Sequence, residues 1–132
     1  KAAKLEQWDM GVAEKRVKAS DVAWDWSRWG SGAGQPAAAP GSEVTLTFTG
    51  SAVAILGKVD EQGGRADVFV DGKKAPAIDA YANAVTHDNV LWHTYGLKPK
   101  PHTVRIVARA DADGRSKGTR IVISEAVIYR PK

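Results

Sequence analysis

Residues 89–110 read NVLWHTYGLKPKPHTVRIVARA, two extended segments joined by a turn. In the first, Val90, Trp92 and Thr94 share one face and Leu91, His93 and Tyr95 the other, the period of two that a strand imposes. Gly96 and the two prolines at 99 and 101 then turn the chain, because each proline fixes φ and withholds an N–H from any sheet. From Thr103 the alternation resumes, Val104, Ile106 and Ala108 against Arg105, Val107 and Arg109. A pair of this kind fits an antiparallel sheet with one face on a core and one towards water.

Every other strong segment has the form of a partner for this pair. Val44, Leu46 and Phe48 alternate with Thr45, Thr47 and Thr49, and Gly50-Ser51 turns into the nearly continuous apolar run AVAILG at 52–57. After a polar loop at 58–64, a strand at 65–70 ends in Asp71-Gly72, a strong hairpin signal, since both residues tolerate the positive φ of a type I′ turn. A returning strand at 75–80, a polar loop at 81–88 (YANAVTHD) and another at 110–118 follow, and residues 119–130 close the chain as a long strand, bent or bulged near Ser124 and Glu125. Upstream, Val22, Trp24 and Trp26 alternate over 21–29 as a strand, with core positions for Trp24 and Trp26, and 30–41 is a glycine, alanine and proline loop. Seven or eight strands at regular spacing, with no long helix and no repeat, predict an all-β antiparallel sandwich.

The 132 residues suit one domain. We place the sandwich at 21–132 and read 1–20 as an irregular lead-in or interdomain segment, with a turn of helix or a short edge strand. The absence of cysteine excludes disulfides, thiol catalysis and cysteine zinc sites. The net charge of +4 falls well short of a nucleic-acid arm. Seven bases against two acids over 98–120 read as a solvated strand face and loop. No apolar run reaches the roughly 18–20 residues of a membrane span, so neither nucleic acid nor membrane is expected as a partner. A start at Lys1 is read as a mature product or an excised domain of a longer protein.

Alternating strand direction sorts the connections between two ends. The turns at 50–51, 71–72 and 96–101 fall at one end, and the loops at 30–41, 58–64, 80–88 and 110–118 at the other. Loops on a rigid scaffold are where binding residues gather. That rim would offer Trp29, Asp60, Glu61, Tyr81, Asn83, His87, Asp88, Asp111, Asp113, Arg115 and Lys117, with Trp92 near it.

The blocks VTLTFTG (44–50), VAILG (53–57), GGRADVFVDG (63–72), IDAY (78–81), residues 90–97, HTVRI (102–106) and the strand at 118–129 resemble, in this order, the galactose-binding-like β-sandwich (jelly-roll) modules appended to bacterial carbohydrate-active enzymes. The resemblance covers about 20–130 and is more specific for fold than for ligand. It implies a non-catalytic module in an extracellular or periplasmic setting, with polysaccharide or oligosaccharide and a catalytic domain of the same parent chain as partners. It requires no cofactor. A structural calcium belongs to many such modules, but no calcium motif maps onto these residues, and the metal ligands stay unknown.

Sugar recognition needs aromatic faces for the apolar side of a pyranose and planar polar groups for its hydroxyls. Trp29 and Trp92 are the platform candidates, with Tyr81 behind them; Trp92 equally suits the core, since it shares a face with Val90 and Thr94. Asn83, His87 and Asp88 would hydrogen-bond hydroxyls or stabilise their own loop. Arg115 and Lys117 suit a carboxylate or sulfate. The histidines lack metal spacing, and Asp111-Ala112-Asp113-Gly114 lacks the distal glutamate of an EF-hand loop. No serine sits in a Gly-x-Ser-x-Gly elbow, so no enzyme is expected. The reading is therefore a carbohydrate-binding module, with a structural β-sandwich packing on a catalytic neighbour as the alternative and nucleic-acid binding third.

Overall fold

The computed structural model describes residues 12–18 and 24–131. They form β1 (Val12–Lys18), β2 (Trp24–Asp25), β3 (Glu43–Gly50), β4 (Ala52–Val59), β5 (Arg65–Val70), β6 (Lys73–Asp79), β7 (Thr86–Thr94), β8 (Lys100–Ala108) and β9 (Val122–Pro131). One sheet has the order β1-β9-β4-β7 and the other β2-β3-β8-β5-β6, with every strand pair antiparallel. The pairs nest, β5 with β6, β4 with β7 and β3 with β8, which is the jelly-roll arrangement.

The alternation of residues 89–110 becomes β7 and β8, which lie in different sheets. Ile55 stands opposite both Trp92 and Ala126, and Val53 opposite Ile128, so these side chains line the inner face of the four-stranded sheet. Leu46 opposite Val104, and Val44 and Val68 opposite Ile106, line the inner face of the other. These residues join Phe48, Ala66, Ile78, Ile121 and Ile123 in one core cluster. Each large aliphatic side chain so enclosed contributes about 1.5–3 kcal/mol of burial free energy.

β4 is buried on both faces. Its other side, Ala52, Ala54 and Leu56, forms a second apolar cluster with Val127 and Tyr129. A strand covered on both faces needs no polar alternation, and AVAILG has none.

Residues 12–18, inside the stretch read as a lead-in with a turn of helix or a short edge strand, are an edge strand paired along its length with β9. Residues 1–11 and 19–23 lie outside the described residues. Two other segments differ from their sequence reading. Among the described residues of the strand expected over 21–29, only Trp24–Asp25 is strand and the chain turns after it, because Asp25 Oδ1 accepts hydrogen bonds from the Ser27 N–H (3.0 Å) and hydroxyl (2.6 Å) and starts a turn that the Trp29 N–H closes on Trp26 O (2.9 Å). Finally, β7 begins at Thr86, inside the loop read at 81–88, with shifts of register against β4 that accommodate a positive φ of 54° at Asp88. The bend expected near Ser124 is a register shift, Leu56 pairing with Glu125 and Gly57 with Ile123.

Candidate functional site

The four long connections meet at one rim and are laced together by backbone hydrogen bonds. The Gly34 N–H donates to Ile123 O (2.8 Å) and the Ala37 N–H to Ile121 O (3.0 Å), tying the 30–41 loop to the start of β9. The Gly64 N–H donates to Arg120 O (2.7 Å), the Arg120 N–H to Gln62 O (2.8 Å) and the Lys117 N–H to Glu61 O (2.7 Å). The Ala82 N–H reaches Asp60 O (2.9 Å). Ser116 Oγ adds a pin, 2.7 Å from Gly63 O and 3.1 Å from Glu61 O. Backbone approaches this closely only where no side chain intervenes: a Cβ on Gly63 would lie 1.8 Å from Ala80 O.

The residues expected at this rim divide. Tyr81 is half-buried and bridges Asp60, and the Arg115 guanidinium lies over its ring at 4.9 Å from the centroid. Arg115 in turn forks onto Asp113 (2.9 and 3.1 Å), while Lys117 Nζ stands 3.7 Å from Glu61. Asn83 is exposed in the adjoining loop and His87 on the first half of β7. Asp88 is engaged by the bulge, its Oδ1 3.1 Å from Ser124 Oγ, which also lies 3.2 Å from Leu56 O.

The two tryptophans expected as platforms are not open faces. Trp29 is 0% exposed, its Nε1 directed at Gln35 O (3.4 Å) and its ring edge-on to Trp26. The Asx turn at Asp25 sends it inward, a consequence that strand parity does not carry. Trp92 is 7% exposed and its Nε1 donates to Pro76 O at 2.9 Å, joining β7 to β6. Trp24 and Trp26 stack on each other at 5.0 Å against the margin of the core.

Rim electrostatics consist of ion pairs within the rim itself. Hydrogen bonds from Arg115 hold the Asp113 carboxyl well below the usual carboxylate range. Arg109 does the same for Asp111, and each arginine is raised in return. Arg65 stands 3.6 Å from Asp79 and 3.5 Å from Asp111, and Lys58 3.5 Å from Asp60. Among the described residues no group of three or more His, Asp or Glu is placed to hold a metal ion. The two acids nearest to a cation loop in sequence, Asp111 and Asp113, are both turned onto arginines. Ionised and tightly bonded, they are poorly suited to donate a proton as a general acid.

A depression of about 250 Å³ remains, walled by Asp60, Glu61 and Gln62 on one side and Ala84 and Val85 on the other. Val85 is 60% exposed, a branched apolar side chain beside Ala84. That side chain within YANAVTHD was the sequence signal for the depression; nothing in the sequence marked Gln62. The depression sets the Asp60 and Glu61 carboxylates and the Gln62 amide beside a small apolar surface. No helix among the described residues is long and apolar enough to cross a membrane.

Comparison with known proteins agrees with this architecture. An N-acetyl-α-D-galactosamine deacetylase of A type blood from Flavonifractor plautii is 37% identical over 67 residues, 51% of this chain and 8% of that protein. Among solved structures, a two-domain esterase active on acetylated mannans, co-crystallised with mannopentaose, superposes with a TM-score of 0.66 at 15% identity, covering 90% of this chain and 37% of that one. An acetyl xylan esterase from the rumen bacterium Butyrivibrio proteoclasticus superposes at 0.57 and 11% identity, covering 92% and 34%. The chain thus spans well under half the length of each. The family described as carbohydrate esterase 2 N-terminal matches residues 29–126, from the buried Trp29 through the rim loops to β9, and the chain belongs to that family.

Proposed function

We propose that this domain is a non-catalytic carbohydrate-binding module that holds a catalytic domain of the same parent chain against its glycan, in an extracellular or periplasmic setting. The observation that carries the reading is the family match over residues 29–126, to a domain named for its place at the N-terminus of carbohydrate esterases. Sugar hydroxyls would be met at the rim by Glu61 and Gln62, with Val85 as apolar support and Asn83 and Tyr81 in the adjoining loop. Tethering of this kind acts by raising effective concentration and needs no chemistry of its own.

One observation favours the alternative, a sandwich that packs on its catalytic neighbour and binds no sugar: Trp29 and Trp92 are both buried. Titration calorimetry of the chain against neutral and acidic polysaccharides, with and without calcium, separates the two. Saturable heat that Asn83→Ala and Tyr81→Ala weaken, with circular dichroism unchanged, is the expected result. A folded chain giving no heat with any glycan would establish the appendage reading instead.

A further inference from the structure

Away from the loops, a groove of about 580 Å³ runs between β6 and β7, the outermost strands of their respective sheets. Its volume lies within the roughly 300–1,000 Å³ of small-ligand sites. Trp92, Pro76 and Leu97 supply apolar wall, and Lys73, Lys74 and Lys100 stand around it. Its one carboxylate, Asp71, is already engaged: Oδ2 is 2.6 Å from His102 Nδ1, and Oδ1 accepts the Thr103 N–H at 2.9 Å. Lys74 lies 3.8 Å from Asp67, a carboxylate that Arg109 approaches more closely, at 3.4 Å. Among the described residues Lys73 and Lys100 form no ion pair.

The contrast with the rim is one of charge. There, Arg115 and Lys117 are matched by Asp113 and Glu61, so an incoming anion would have to displace an internal carboxylate. At the groove, two ammonium groups flank apolar wall outside any close ion pair, and the one acid there, Asp71, is bonded to His102 and Thr103 and meets Lys100 only at longer range. We infer that the β6–β7 groove binds an acidic glycan, a uronate-bearing oligosaccharide whose carboxylates lie against Lys73 and Lys100 and whose ring faces lie along Pro76, Leu97 and the edge of Trp92. This rests on the carbohydrate-binding reading above and adds to it a second site and a substrate class.

The probe is trigalacturonate, titrated against the chain beside neutral mannan and xylan oligosaccharides. Trigalacturonate binds, more weakly as ionic strength rises, and Lys73→Gln with Lys100→Gln weakens it by about tenfold or more, a larger loss than Arg115→Gln gives. Both lysines are exposed, so the double variant keeps the wild-type dichroism. Loss in Arg115→Gln with full binding in the lysine variant would move the anion site to the rim and overturn the inference. Undiminished binding in both would leave the lysines as guards of an exposed strand edge and overturn it too. Binding of neutral glycans alone would refute the acidic groove and leave the module reading standing. Silence towards every glycan would remove both. Displacement of trigalacturonate by DNA of equal charge would reduce the groove to a non-specific polyanion surface.

Discussion

Trp92 acts through two parts of one side chain. Its ring fills the core opposite Ile55, and its Nε1 satisfies Pro76 O on the facing edge strand at 2.9 Å. Trp92→Phe keeps most of the buried area but leaves that carbonyl without its donor, so a loss of about 1–3 kcal/mol is expected in urea unfolding. An unchanged midpoint would mean that water replaces the indole without cost. Trp92→Ala would be a poor test of ligand binding, since truncating a buried tryptophan costs about 3–5 kcal/mol in its own right. Asp71 offers a second test at this scale. Its carboxyl is held below its ordinary 3.8 chiefly by the hydrogen bond from His102, then by the Thr103 N–H. A carboxyl depressed in the folded state stabilises fully above its unfolded pKa, and that contribution is lost as pH falls through the lower folded value. The thermal midpoint of the wild type should therefore fall more steeply than that of Asp71→Asn below about pH 4. Parallel curves would show that the turn carries no such linkage.

At the scale of the element, the rim behaves as one piece because its loops bond to one another rather than to water. Gly63 is the tightest point, with Ala80 O, Ala80 C and Tyr81 N all within 2.7 Å of where a Cβ would stand. Gly63→Ala must push the 60–64 connection away from β6, and overpacking of this kind costs about 1–3 kcal/mol. The expected signature is a lower thermal midpoint with faster amide exchange at Asp60 and Ala82, whose backbones join across the same gap. Normal exchange there would mean that the lacing is not cooperative. The hairpin at Asp71-Gly72 shows the opposite case, an element whose geometry is local. Both residues have positive φ, 51° and 82°, as the dipeptide signal implied.

For the whole molecule, the parity of strand direction carried far. It brings the long loops to one end and the tight turns to the other, because successive antiparallel strands reverse direction. It failed at Trp29, where an Asx turn replaces the strand whose phase was being counted, and that failure removed one expected platform. Arg115 and Lys117 stand among the rim loops, but their pairing with Asp113 and Glu61 is a property of the folded rim that the sequence did not carry. Seen as a whole, the charge pattern places internally paired ions at the rim and two lysines outside any close ion pair at the groove.

Period-two alternation, turn dipeptides and the doubly apolar run at 52–57 determined by themselves that this chain forms an antiparallel sandwich, because each depends on residues adjacent along one strand. Which sheet each strand joins, which tryptophans lose their faces to the core, and which cations are left outside any close ion pair were decided only by the tertiary structure. Those properties depend on residues that are remote in sequence and meet only when the sheets close. Asp71 with His102 and Trp92 with Pro76 are contacts of that kind, and the groove beside them exists only where two strand edges from different sheets come to lie side by side.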